Sequence, residues 1–412
     1  MIKLKILNFG SCNIDYVYSL NHIVNPGETE TAYKLEFFPG GKGLNQSVAA
    51  AKAGALVYHA GCVGYDSDML TDILKENNVD ISYIKKVSEK NGHAVIQLSE
   101  NAENSIFIFP GSNDMVSKEY IDSVINDFDS EDIVLLQNEI SNVDYIAKKA
   151  YQKGMRIIFN PSPFNEKIDK IDLNMITYLV LNEVEMKEIS GFETDFEGIN
   201  QIKNKYPHLK IMLTLGSKGC VYTDDKEKIY QPAYKVDAVD TTAAGDTFTG
   251  YFAAEISRGN DIRKVLKLSS AAAACAVLKK GAAPSIPQRT DVLNFIDTSD
   301  EYTQNRKLDF YINTIDSYIK ENIKTANLKQ LSQMLSYCEG YTGELVKKIK
   351  GRSFIKELQA KRCEAAADKL INTDLPISEI ITEIGYDNES FFRKIFKNQY
   401  GENPSKYRKK RG

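Results

Sequence analysis

Up to about residue 296 the chain alternates short apolar runs with longer amphipathic stretches. Lys5–Phe9, Val57–Cys62, Ile133–Gln137, Arg156–Asn160, Tyr178–Leu181 and Ile211–Leu215 are mostly apolar and predict buried strands. Between them, Gly43–Ala53, Ser67–Asn77, Asn142–Lys153 and Glu183–Ile189 carry helical spacing. This succession predicts an α/β domain with a largely parallel sheet. Ala32–Phe38 and Ala94–Phe109 alternate apolar and polar residues, which predicts a smaller open sheet: a flap over a substrate pocket or an edge hairpin.

The texture changes near Asp297. The polar, aperiodic stretch DTSDEYTQNR (297–306) reads as a linker between a domain at 1–296 and one at 307–412. Beyond it nearly everything is helical. Leu328, Leu331 and Leu335 share one face, and Ile377, Ile380, Ile381 and Ile384 form a second stripe. Phe391, Phe392, Ile395 and Phe396 form a third. Charge divides in the same place. From Thr303 onward there are 21 Lys and Arg against 14 Asp and Glu, although the whole chain is net −4. A basic tail on an acidic body points to a polyanionic partner for the tail alone.

The six cysteines are scattered without a CxxC pair, and with four histidines in the chain they offer no zinc spacing. Unpaired thiols fit a reducing cytoplasm. No apolar run approaches the length of a membrane span, and the first 14 residues are too short and too soon broken by Gly10 for a signal peptide. The expectation is a cytoplasmic protein with no membrane partner.

The chemistry concentrates in DTTAAGDTFTG (240–250). There Asp246 follows Ala243, Ala244 and Gly245 where a strand-rich region hands over to a helix. Small residues let successive backbone N–H groups converge, and a helix start adds a positive dipole end. A developing phosphate charge fits that nest while Asp246 takes a proton from an attacking hydroxyl. Upstream, PGGKGLNQSVAAAKAG (39–54) supplies a glycine loop before a strong helix former, without the spacing of a P-loop. GSCNID (10–15) places Asn13 and Asp15 just past the first strand, where they can meet sugar hydroxyls or form a turn.

These two glycine segments resemble the signatures of the PfkB sugar kinases, the ribokinases above all. The similarity runs from about Lys5 to Ile296 and includes LVLNEVE, TLGSKG and KKGAAPSIP in order. It implies a Rossmann-like α/β body with a small β lid, using ATP with Mg²⁺. By matching position, Asp246 is the base, and the backbone of Ala243, Ala244 and Gly245 forms the anion hole. Asn13, Asp15, Gly41, Lys42, Asn45 and Glu139 bind the sugar, with ribose the leading substrate. Asn182 and Glu185 act near the phosphates and the hydrated magnesium, and Thr214, Gly216 and Gly219 line the nucleotide side. A potassium ion is implied beside Asp240, Thr242, Ala276, Lys279, Gly281 and Ser285, with Lys279 standing where arginine is usual. Pairing of lid strands in the family implies a homodimer.

The tail resembles the DNA-binding domain of the AraC/XylS regulators over about Lys307–Arg411, most clearly in IGYDNESFFRKIFKNQYGENPSKYR. An all-α double helix-turn-helix is implied, with recognition helices at Tyr341–Lys350 and Asn388–Gln399 entering major grooves about 10 bp apart. Thr342, Glu344, Lys347, Lys348, Asn388, Glu389, Ser390, Arg393 and Lys397 are the expected contacts to double-stranded DNA. Gly343 weakens the first recognition helix by up to about 1 kcal/mol relative to alanine.

Two functions follow. One is a sugar kinase that also carries a DNA-binding module. The other is a transcription regulator whose kinase-like domain serves as a ligand sensor. An intact Asp246, nest and first glycine loop favour catalysis.

Overall fold

The computed structural model describes residues 4–101, 103–192, 195–335 and 337–411. Contacts divide the chain into two units, Met1–Thr303 and Gln304–Gly412.

In the first unit the strands open with β1 (Lys5–Phe9), β2 (Asn13–Leu20), β3 (Lys34–Gly40), β4 (Leu56–Val63) and β5 (Asp80–Lys86). They continue with β6 (Gly92–Ser99), β7 (Asn104–Phe109), β8 (Ile133–Gln137), β9 (Arg156–Asn160) and β10 (Tyr178–Asn182). The last are β11 (Lys210–Thr214), β12 (Gly219–Thr223) and β13 (Lys228–Pro232). Nine of them form one sheet in the order β13-β12-β11-β10-β9-β8-β1-β4-β5, parallel except for the last hairpins at the β13 edge.

Helices α1 (Lys42–Lys52), α2 (Asp68–Glu76), α3 (Lys118–Asn126), α4 (Val143–Lys153), α5 (Glu183–Ser190) and α6 (Asp195–Lys205) connect these strands. They are followed by α7 (Ala244–Ser257) and α8 (Ile262–Ala276). Successive strand residues enter opposite cores. Ile6, Ile133 and Leu135 pack with α1, α7 and α8, whereas Leu7, Val134 and Leu136 pack with α3, α4 and α6. Burial on both faces explains why these strands read as unbroken apolar runs.

The small sheet has the order β3-β2-β6-β7. The alternating stretches predicted β3, β6 and β7; the sequence reading missed β2, which carries Asn13 and Asp15. Its outer strand β7 is exposed along its whole length.

The expected linker at 297–306 is instead part of the helix α9 (Arg289–Glu321). No glycine or proline interrupts these 33 residues, so a stretch without an apolar stripe still continues the helix. In the second unit follow α10 (Leu328–Leu335), α11 (Glu339–Lys350), α12 (Phe354–Asn372), α13 (Ile377–Glu383), α14 (Glu389–Tyr400) and α15 (Pro404–Arg411). Phe354 and Leu358 of α12 pack with α10, α11 and the end of α9, while Cys363, Ala366 and Leu370 pack with α13 and α14. One helix thus serves both helix-turn-helix halves, and α11 forms in spite of Gly343.

Candidate active site

The parallel strands β8, β9 and β10 each end with an amide, Gln137, Asn160 and Asn182, and β1 carries Asn8 one residue before its end, all in mostly apolar runs. Strand C-termini are where open α/β sheets bind ligands. Here Asn160 and Asn182 line a cavity of about 220 Å³ together with Lys42, Glu185, Ala243 and Asp246.

Glycines let the first loop close on α1. A Cβ on Gly43 would lie 2.4 Å from the Cα of Gly10 and 2.3 Å from the amide of Ser11. Gly41 caps α1 at φ 94°, a conformation that favours glycine. This close approach lets Ser11 donate to Glu139 Oε2, which also accepts from the Lys42 amide at 2.9 Å. Ser11 itself accepts from the Gly43 amide at 3.2 Å.

Asp246 lies in the first turn of α7 and is 8% exposed. Asn45 donates to its Oδ2 and Gln46 to its Oδ1, each at 3.0 Å. Ala243 caps the helix at φ 61°, a left-handed conformation that alanine adopts only at a cost of roughly 1–2 kcal/mol. The first intrahelical bond runs from the Thr247 amide to the Ala243 carbonyl at 2.8 Å. The amides of Gly245 and Asp246 precede it at the positive end of the helix. Ala244 differs from expectation, because its amide donates to the Thr241 carbonyl at 3.2 Å.

Three carboxylates, Asp15, Glu139 and Asp246, lie close enough to act on one another. Burial, then Glu139 and Asp246, push the Asp15 carboxyl up to about 7. Burial likewise raises Glu139 against the opposing pull of Lys42. Lys42 loses by burial but gains more from Asp246, Glu139 and Glu185, so its ammonium is held charged. Asn13 accepts from Asn113, and Asn45 Oδ1 is buried with no partner in the protein.

Asn182 and Glu185 form a capping box. The side chain of Asn182 accepts from the Glu185 amide at 2.9 Å, and Glu185 Oε2 accepts from the Asn182 amide at 3.0 Å. Thr214 donates to the Leu181 carbonyl, beside the same cavity. Gly216 and Gly219 shape the tight turn between β11 and β12, with φ 53° and 118°. Gly219 owes its identity to packing, since a Cβ there would lie 2.2 Å from the Gln231 carbonyl.

Asp240 ties two loops together, accepting from the amides of Thr242 and Gly281 at 2.9 Å each. Partial burial alone would raise its carboxyl, but those bonds hold it below the usual range. Ser285 donates to the Ala282 carbonyl, Ala276 is buried and Lys279 is exposed. Among the described residues no three His, Cys, Asp or Glu side chains form a metal cage. The six cysteines are all free.

The sequence reading missed Ser11, Gln46, Asn113 and Gln137. Gln137 closes the apolar run of β8 and Ser11 follows β1, a signal the sequence carried; Gln46 inside α1 and Asn113 in the turn after β7 had none.

In the second unit Thr342 is corrected: it is 0% exposed and cannot reach DNA. It falls on the inward face of α11, next to Val346. Lys347, Lys348, Ser390 and Lys397 are exposed, as are Glu344 and Glu389. Asn388 caps α14, its side chain accepting from the Phe391 amide at 2.9 Å. Arg393 bonds Glu389 through both Nε and a terminal nitrogen, at 2.8 and 2.5 Å.

Residues 3–289 match the model of the pfkB family carbohydrate kinases, and residues 331–410 match a helix-turn-helix domain. A ribokinase of Haemophilus influenzae is 34% identical over 297 residues, covering 70% of this chain and 97% of the relative. The crystal structure of ribokinase from Thermotoga maritima superposes with TM-score 0.65 at 34% identity, covering 71% of this chain and 99% of that one. Arabidopsis thaliana ribokinase, solved with ribose and ATP, gives TM-score 0.65 at 30% identity, covering 72% and 99%. The strand-end amides, the glycine-closed first loop and the acid at the start of α7 thus occur in a chain that belongs to the pfkB family of carbohydrate kinases and carries an AraC-type helix-turn-helix domain.

Proposed function

We propose that this kinase moves the γ-phosphoryl group of ATP to the primary hydroxyl of ribose or a related pentose, and that its tail binds double-stranded DNA. The observation that carries the reading is Asp246, buried and held by two amide donors, next to the unbonded amides of Gly245 and Asp246. The hydroxyl proton passes to Asp246 as the sugar oxygen bonds to phosphorus and the bond to the bridging β-phosphate oxygen breaks. The two amides and Lys42 meet the charge of the transferring group, which is where preorganised donors act most strongly.

Asp15, Glu139 and the free Oδ1 of Asn45 accept bonds from sugar hydroxyls, a donor-rich ligand being what three clustered acceptors need. Bound Mg²⁺ would neutralise phosphate charge, with Glu185 facing it through the oxygen that the capping box leaves free. K⁺ would be held by backbone oxygens of Thr242, Ala276, Lys279 and Gly281, with Asp240 and Ser285. Those are hard oxygen donors, a set that suits such an ion.

A homodimer through the small sheet fits the apolar exposure of Phe37, Ile106, Phe107 and Phe109. No helix among the described residues is long and apolar enough to cross a membrane. ATP as donor and DNA as partner support a cytoplasmic location.

The deciding experiment is ADP release across a panel of pentoses, hexoses and nucleosides. Ribose should give the highest kcat/KM. Release that no sugar stimulates would overturn the kinase reading in favour of a ligand sensor. A ligand that alters DNA binding must change operator affinity, so operator affinity is measured with and without sugar and ATP; identical affinities would show the two activities to be independent.

A further inference from the structure

The phosphoryl transfer proposed above requires Asp246 to present an acceptor oxygen in one orientation. We infer that Gln46 is the residue that imposes it, and that Gln137, one step farther from the cavity, decides which way the Gln46 carboxamide faces.

The orientation follows from groups that can play only one role. The Gly43 carbonyl can only accept, so Asn8 turns its Nδ2 toward it, at 2.7 Å. Asn8 therefore shows its Oδ1 to Gln137, whose Nε2 donates to it at 3.0 Å. The same Nε2 donates to Gln46 Oε1 at 2.7 Å. Gln46 is left with its Nε2 facing Asp246 Oδ1 at 3.0 Å. A second carbonyl fixes the chain from the other side. Asn160 gives its Nδ2 to the Val180 carbonyl at 3.0 Å, so its Oδ1 accepts from Gln46 at 3.2 Å. Asn8, Gln46 and Gln137 are at most 1% exposed, so no water competes for these bonds.

With both ends tied to the backbone, Gln46 offers Asp246 a donor and nothing else. Asp246 Oδ1 must accept, which fixes the rotation of the carboxylate. Asn45 donates to the other oxygen at 3.0 Å. Gln46 touches the base and not the reacting atoms, so it is a positioning residue.

The test uses full-length wild type, Gln46→Met, Gln46→Glu and Gln137→Glu, with kcat and the sugar KM measured apart and Tm recorded. Both Gln46 variants should lose roughly 10–100-fold in kcat while the sugar KM stays within about threefold, the pattern of an interaction made in the transition state. Gln137→Glu should show the same split. A carboxylate there accepts from Gln46, turns the carboxamide round, and points an oxygen at Asp246. A folded Gln46→Met enzyme with kcat within about threefold of wild type overturns the inference. So does a loss divided between kcat and KM that follows Tm, which is what a purely structural role produces. Should Gln46→Glu fail to fold, Gln46→Met and Gln137→Glu decide. A wild type that releases no ADP with any sugar would remove the kinase reading and this inference together; an active wild type with active variants would remove only this one.

Discussion

Asn113 donates its Nδ2 to the Oδ1 of Asn13 across 2.7 Å, and both side chains are buried. The Cys12 amide occupies Asn113 Oδ1 at 3.1 Å, so the direction of the bond is settled. That bond takes up Asn13 Oδ1, so Nδ2 is the end of this carboxamide left to donate. Asn113→Leu should raise the sugar KM by about tenfold, near 1.4 kcal/mol, with kcat within about threefold of wild type. Steady-state kinetics with the preferred pentose checks it.

Asp246→Asn keeps the shape of the base and removes its charge. The expected fall in kcat is roughly 10²–10⁴, the usual contribution of a positioned base. Single-turnover phosphoryl transfer is the measurement, and near-native turnover would refute the assignment.

Asp15 predicts a pH dependence of stability. Its carboxyl is raised from the ordinary 3.8 to about 7, so between those values the folded chain holds a proton that the unfolded chain has released. Stability from this group is full below pH 3.8 and declines as pH rises through 7. His59 acts in the opposite sense: burial lowers it from 6.5 to about 4, and its contribution is lost as pH falls across that interval. Asp15→Asn should therefore raise Tm relative to wild type by an amount that grows from pH 4 to 7 and then levels. Calorimetry across that range reads it.

Gly250 is the contact that brings α1 and α7 together. A Cβ there would stand 2.4 Å from the Ala49 Cβ and 2.6 Å from the Gln46 carbonyl. Gly250→Ala should cost about 1–3 kcal/mol of stability by overpacking. It should also lower kcat by roughly 10–100-fold, because the donors on α1 move off Asp246. Urea unfolding and kcat on the same preparation test both halves.

For the tail, Lys347→Ala and Lys397→Ala should each weaken DNA binding evenly across sequences and reduce the salt slope by about 1. Thr342→Val should leave DNA affinity unchanged, since its hydroxyl is buried. Fluorescence anisotropy on a selected duplex at several salt concentrations separates the two.

The sequence alone carried the α/β body, most core strands, the acid of DTTAAGDTFTG and the glycine loop, because each depends on local spacing. Apolar runs mark strands that are covered on both faces, and small residues before Asp246 mark a helix start open to an anion. The helical tail and its helix-turn-helix stripes were equally local. Only the tertiary structure decided that residues 297–306 are helical, that β2 belongs to the small sheet, and that Thr342 faces inward. It alone joined Gln46 and Gln137 to Asp246, and Asn113 to Asn13, across 91 to 200 residues of chain. A hydrogen bond between distant residues leaves no period in a sequence; it exists only once strand ends and helix starts converge on one place.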